Sequence, residues 1–331
     1  MDRPRLSTLL SWALVAFTIE ADNEFELSVP HVTSAERGNG LPVRGPWLAS
    51  LTMWYSCLQF VPDDGIALTD LERLTFDQCR LRGTNPGMVR WGYVTVDDGV
   101  VRRTAAGTTA ASTWATLSPA IEQRWAARHG SRDVSRLRAA LEAAVDAIGT
   151  DLPDAVPENA ARGGRLTLHP GTHNEPDSGP RDLAALIAKV LVQRTLSHEA
   201  TSLLALSYAA NPVRALGAGP VTVRDLPRLT GVGKETLAVM TNWLRKRELA
   251  RVSGTGTAKT IALTAPGRTA LQEYVDAPGG GDSDLRGALE PITAELEVTA
   301  PPGCWRARRR RPDTLPHHPV ISHRGGYPEG S

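Results

Sequence analysis

Hydrophobic residues along this chain mostly recur at helical intervals, with short alternating stretches between them. Leu6, Leu10, Leu14 and Phe17 keep a spacing of three to four, and the pattern runs on through Glu20, Asp22, Glu24 and Glu26. That predicts a buried amphipathic helix. Arg3 and Arg5 ahead of an apolar run give it a superficial likeness to a signal peptide, which the continued periodicity argues against. No run reaches the ~18–20 apolar residues that a membrane span requires. A Pro/Gly-rich connector, residues 29–46, leads to Trp47, Leu51, Trp54, Leu58 and Val61, again one face of a helix.

After the break at Asp63-Asp64-Gly65, Thr69 opens a helix with Glu72 as its capping-box partner. Its Asp70-Leu71-Glu72-Arg73-Leu74-Thr75 returns as Asp225-Leu226-Pro227-Arg228-Leu229-Thr230, an internal repeat at about one domain's distance. Downstream, Tyr93 to Val96 answers Leu249 to Val252 as a first strand. Thr113 to Ser118 answers Lys259 to Thr264 as the returning strand, which gives the first copy a long hairpin containing Gly99 and Gly107. The helix between is not repeated: where the second copy has a full helix, the first has Arg82 to Trp91 with two glycines and a proline, room for a couple of turns from Pro86.

The second copy, Val221 to Tyr274, reads as a short helix, a Gly-punctuated turn, a longer amphipathic helix, a hairpin with a free tip, and another helix. That order is a winged helix-turn-helix, whose second helix usually enters the DNA major groove. Two long helices accompany it. Ser131 to Ile148 carries Leu137, Leu141, Ala144 and Ile148 on one face, and a second runs from about Arg181 to Ala210, ending at Asn211-Pro212. The predicted fold class is mainly α with small β wings (α+β): two winged helix-turn-helix modules joined by long helices. The predicted domains are a degenerate N-terminal module (1–149), a linker rich in Pro, Gly and Asp (150–180), a winged-helix domain (181–276), and a short helix (Asp284 to Glu297) with an irregular basic tail (277–331).

Charge separates the two copies. The chain as a whole has a formal net charge of +1. From Asp63 to Arg128 there are eight basic and eight acidic residues, whereas Val221 to Val275 has nine basic and four acidic. DNA affinity rests heavily on neutralising phosphates, so the second copy is the expected reader and the first a scaffold. Three cysteines, Cys57, Cys79 and Cys304, are widely separated and odd in number. They suggest neither a disulfide framework nor a zinc site, and fit a reducing cytoplasm.

On the second helix, about 233–247, Leu237, Met240 and Leu244 form the core stripe. Lys234, Ala238, Thr241 and Arg245 are placed on the other side with Asn242 beside them: small residues for close approach, polar groups for base edges, cations for phosphate. Any exposed helix has a polar face; the surrounding helix-turn-helix-wing order gives this one a reason. Gly233 caps its start. In the wing, 250–264, Val252, Ile261 and Leu263 anchor the strands, Gly254 and Gly256 free the tip, and Arg251 and Lys259 are candidates for the backbone or the minor groove, against the alternative of a solvated hairpin.

The turn Leu229-Thr230-Gly231-Val232-Gly233-Lys234-Glu235, the run Leu244 to Arg251 and the wing exit Leu263-Thr264-Ala265-Pro266-Gly267-Arg268 resemble the MarR-type winged-helix transcriptional regulators, well over Arg181 to Val275 and weakly over the N-terminal half. The segments Leu14 to Glu20 and His323 to Pro328 suggest a two-module subgroup. The resemblance implies a dimeric, sequence-specific repressor or activator released by a small ligand. The wing lacks the acidic residue often found there, Gly233 stands where Ser is usual, and tandem modules are atypical.

The resulting expectation is a cytoplasmic transcriptional regulator that binds double-stranded DNA through Lys234, Glu235, Ala238, Thr241, Asn242, Arg245, Arg251 and Lys259, as a homodimer or an internal pseudo-dimer. The alternative is a winged-helix protein–protein scaffold. His169, His173 and Glu175, or His317, His318 and His323, form no matched metal set; no nucleophile motif or complete P-loop occurs, so neither enzyme nor cofactor is expected. The arginine cluster Arg306, Arg308, Arg309, Arg310 and Arg311 grips nucleic acid or is a solvated tail.

Overall fold

The structure, a computed structural model, describes residues 5–28, 57–75, 81, 87–90, 92–149, 152, 154, 161–162, 165–166, 181–230, 234–276 and 283–294. Among them it is mainly helical, with small antiparallel sheets. The chain divides into two compact units, each assembled from separate stretches: residues 16–158 with 168–190, and residues 1–15 with 159–167 and 191–331.

The N-terminal helix α1 (Leu6–Ser28) contributes to both. It is buried on nearly all sides rather than along one stripe: Ser11, Thr18, Leu10, Leu14, Phe17 and Phe25 are all at 0 % exposure. Two of the acidic residues that give it an amphipathic look, Glu20 and Glu24, are used internally. In the first unit, Glu20 Oε1 accepts from Trp125 Nε1 at 3.0 Å and from Arg128 at 2.9 Å, and Arg124 reaches Glu24 at 2.6 Å.

After its share of α1, the first unit contains β1 (Ile66–Ala67), α2 (Leu68–Thr75), the single turn α3 (Gly87–Arg90) and the hairpin β2 (Val94–Asp97) and β3 (Val100–Arg103), in sheet order β1-β3-β2. Two long helices follow, α4 (Ala105–His129) and α5 (Ser131–Asp146). Trp114, Leu117, Ile121 and Trp125 of α4 are buried, as are Val134, Leu137, Leu141 and Val145 of α5. Phe17 meets Trp125 edge-on, and Phe25 stacks on Trp114, both at 5.9 Å between centroids. Asp182 accepts from Trp114 Nε1 at 2.9 Å, and burial raises its pKa above the usual carboxylate value.

This replaces the expected long hairpin. The returning strand is Val100–Arg103, and Thr113 to Ser118 lies inside α4. Asp98 and Gly99 have φ of 50° and 75°, both left-handed, as a two-residue turn matched to the strand twist requires. Trp114, Leu117, Ile121 and Trp125 keep a helical period across the segment read as a strand. Of the helix face through Trp47 to Val61, Leu58 and Val61 are buried, and the rest lies outside the described residues.

Residues 161–166, within the segment read as linker, include a small hairpin, β4 (Ala161–Arg162) and β5 (Arg165–Leu166). The expected helix from Arg181 is two helices, α6 (Leu183–Thr201) and α7 (Leu206–Leu216), and Pro212 sits inside α7. The chain breaks earlier because side chains take over backbone partners there. Ser202 Oγ accepts from Leu204 N at 3.1 Å, and Glu199 Oε1 accepts from Leu206 N at 2.8 Å.

The second unit repeats the small sheet: β6 (Val221–Thr222), a 3₁₀ turn Val223–Asp225, α8 (Leu226–Thr230), α9 (Lys234–Lys246), β7 (Ala250–Ser253), β8 (Thr260–Leu263), α10 (Ala265–Asp276) and α11 (Ser283–Ala294), with sheet order β6-β8-β7. The copies agree bond by bond. Thr75 and Thr230 each donate a hydroxyl to the carbonyl four residues back, Leu71 at 2.8 Å and Leu226 at 2.7 Å. Thr104 N bonds Tyr93 O, and Thr264 N bonds Leu249 O, both at 3.0 Å. Leu68 N bonds Gly99 O at 2.8 Å, and Val223 N bonds Lys259 O at 2.9 Å. The repeat legible in six residues therefore extends through both sheets.

Cys57 is disulfide-bonded, contrary to the expectation of no disulfide. Distance along the sequence does not limit which cysteines a fold brings together, and the expected reducing compartment loses its support. Cys79 and Cys304 lie outside the described residues. No helix among the described residues is long and apolar enough to cross a membrane.

Candidate nucleic-acid interface

Helix α9 is held by its apolar side. Leu237, Met240, Trp243 and Leu244 are buried in one cluster with Leu206, Ala209 and Val213 of α7 and Ile261 and Leu263 of β8. Its C-terminus closes in a Schellman arrangement: Leu249 N bonds Leu244 O at 2.9 Å and Glu248 N bonds Arg245 O at 3.1 Å, with Glu248 left-handed at φ 59°. In the first copy Tyr93 bonds Met88 at 2.9 Å, Gly92 bonds Val89 at 3.0 Å, and glycine fills the left-handed position. The exit from α9 thus fixes where β7 starts, and so where the hairpin lies beside the helix.

The hairpin pairs Ala250 with Leu263, Arg251 with Ala262, Val252 with Ile261 and Ser253 with Thr260. Ile261 and Leu263 face the core, while Arg251 and Ser253 face outward. The tip turns through Gly254 and Gly256, at φ of 77° and 57°, and a 3₁₀ turn Gly256–Ala258, with residues 254–259 all exposed. A β-carbon on Gly254 would sit 2.7 Å from Ala258 O. At the far end, Thr264 Oγ1 accepts from Gly267 N at 3.2 Å and donates to Glu248 O at 2.5 Å, tying the start of α10 to the end of α9.

Lys234, Ala238, Asn242, Arg245, Arg251 and Lys259 are exposed. Arg245 Nη2 donates to Asn242 Oδ1 at 2.9 Å, so these two act together. Thr241 differs from its expected outward placement: it is half-buried, and its hydroxyl donates to Leu237 O at 2.6 Å. The side chain of Glu235 and the whole of Gly233 lie outside the described residues, as do the His169, His173, Glu175 and C-terminal histidine sets and the arginine cluster. Among the described residues no group of three or more His, Cys, Asp or Glu side chains could hold a metal ion.

Two exposed residues of α9 escaped the sequence reading, Val239 and Lys246. The signal lay in the core stripe itself. At about 100° per residue the face opposite Leu237, Met240 and Leu244 carries Val239, Asn242 and Lys246 with Ala238 at its edge, whereas Lys234, Thr241 and Arg245 lie on its flank. Trp243, 7 % exposed, widens the buried side. Trp243 also carries the Arg247 guanidinium 4.4 Å from its ring centre, a cation–π contact.

Lys234, Lys246, Arg251 and Lys259 have no carboxylate partner among the described residues. The first unit uses many of its cations internally: Arg103 with Asp63 at 2.8 Å, Arg128 with Glu20 at 2.9 Å, Arg138 with Glu122 at 2.5 Å, and Lys189 with Asp154. Hydrogen-bond equivalence puts Gly99 where the second copy has Lys259, and strand register puts Thr95 at Arg251 and Asp97 at Ser253. One hairpin is therefore cationic, while the other sets Asp97 and Asp98 at its tip against Arg102 and Arg103. The chain matches no family model, no curated protein and no solved structure.

Proposed function

We propose that the chain is a sequence-specific, double-stranded DNA-binding transcriptional regulator of the MarR-like winged helix-turn-helix type. In this reading α9 enters the major groove, and the hairpin β7–β8 rests on the backbone or in the minor groove. The observation that carries it is the set of uncompensated cations, Lys234, Lys246, Arg251 and Lys259, on an exposed helix and its adjoining hairpin. Phosphate contacts supply affinity and fall with salt, while the start of α9 supplies sequence choice. The chain acts as a homodimer or an internal pseudo-dimer, with a small-molecule effector.

The test is a binding titration of the full chain, across a salt series, on duplex from the promoter region next to its own gene and on scrambled duplex. Lys234→Ala narrows the gap between the two. Lys259→Ala weakens both and lowers the salt slope by about 1. Equal, salt-independent or absent binding refutes the proposal. The first unit's internal ion pairs favour a second reading, a protein–protein scaffold, which a stable partner recovered without any DNA affinity at low salt would establish.

A further inference from the structure

Three large hydrophobic side chains are exposed among the described residues: Leu203, Leu229 and Val239. Val239 is the one on α9, with 49 % of its surface open. Its immediate neighbour Ala238 is exposed too, and Asn242 follows within the next turn. A valine on an exposed helix face gains nothing from burial and has a lower helix propensity than alanine, lysine or glutamate. What it offers is a stiff apolar surface, since its branched side chain keeps essentially one rotamer in a helix and loses little freedom on contact. The apolar pair lies between cations, with Lys234 at one end of the helix and Arg245 and Lys246 at the other.

From this juxtaposition, and resting on the DNA-binding reading above, we infer that Val239 and Ala238 recognise the 5-methyl group of thymine in the major groove. Thymine's methyl is the apolar feature that base edges present there, and small aliphatic side chains are its usual contact. The flanking cations match the phosphates that border the groove on either side, which fixes the occupant as a polyanion. Duplex RNA is a poor fit: its major groove is too deep and narrow for side chains to read, and uracil lacks the methyl. The site selected by the chain therefore contains at least one thymine whose methyl, rather than its hydrogen-bonding edge, is read.

The experiment uses the full chain and duplexes it enriches from a random DNA library. Each thymine of an enriched site is replaced singly by deoxyuridine, which removes the methyl and keeps every hydrogen-bonding group. Replacement at one or two positions is expected to weaken binding about fourfold, the effect of burying one methyl-sized group. In Val239→Ala the thymine-to-uracil ratio at those positions falls toward one, while the salt slope stays that of the wild type. Should Val239→Ala fail to bind, Val239→Thr keeps the shape and exchanges one methyl for a hydroxyl, and the ratio is read there.

A ratio unchanged in the valine variants, or no thymine sensitive to methyl removal, overturns the inference and leaves DNA binding standing. Failure to enrich or bind any duplex at low salt overturns the DNA-binding reading itself. A fall in mass for Val239→Ala by light scattering assigns the patch to self-association and also overturns the inference.

Discussion

At Gly267 a β-carbon would lie 1.9 Å from Leu249 O, and at Gly107 the same distance from Tyr93 O. Both glycines follow the hydrogen-bonded threonine that starts the helix after a hairpin, Thr264 and Thr104. The backbone of the first strand passes so close to that helix that only a hydrogen fits. Gly267→Ala is accordingly expected to destabilise the chain by at least about 1–3 kcal/mol, the usual cost of overpacking. Urea unfolding would show a lower midpoint at unchanged slope; a midpoint equal to the wild type would mean that the strand yields freely. The Pro-Gly-Arg wing exit was legible in the sequence, but the reason for its glycine was not, because the obstructing carbonyl is eighteen positions upstream in Leu249. Glu248 is the opposite case: nothing in its identity announces a left-handed residue.

The helix Ser131 to Ile148 was legible from its apolar period, and so was the second hairpin, where Val252, Ile261 and Leu263 alternate with polar residues. What was misread turned on local competition. The first hairpin is shorter than expected because its turn is only Asp98-Gly99. The helix expected from Arg181 to Ala210 stops at Thr201, where Glu199 and Ser202 take over backbone donors, rather than at Asn211-Pro212. The two hairpins also suggest an exchange. Both flank their tips with a closing pair, Asp97 with Val100 and Ser253 with Thr260, so a two-residue Asp-Gly turn fits where residues 254–259 now stand. That replacement is expected to keep the thermal midpoint within a few degrees, about 1 kcal/mol for a chain of this size. It removes Lys259 and adds an acidic side chain, and should weaken duplex binding about tenfold at low salt. Retained affinity in a folded variant would show that the tip touches no phosphate.

The whole chain is nearly neutral, yet among the described residues the first unit pairs several cations with carboxylates, whereas Lys234, Lys246, Arg251 and Lys259 of α9 and its hairpin have no such partner. Counting charges segment by segment exposed the asymmetry; pairing could not be counted, since Glu20 and Arg128 meet only in the fold. The disulfide at Cys57 was invisible for the same reason. Thiol titration of the denatured, unreduced chain should find a single free thiol among the three cysteines, and all three after reduction; three before reduction would exclude the bond.

The discontinuous units have a bearing on synthesis. The first fifteen residues belong with residues 191–331, and Arg5 rests its guanidinium 3.2 Å above the ring of Tyr274. On the ribosome, Leu9, Leu10 and Leu14 emerge well before residues 191–331, with which they form one unit. During that interval they are open apolar surface, the kind that chaperones hold. A nascent chain stalled between α6 and α7 still lacks those partners, whereas the unit built around α4 and α5 is already made.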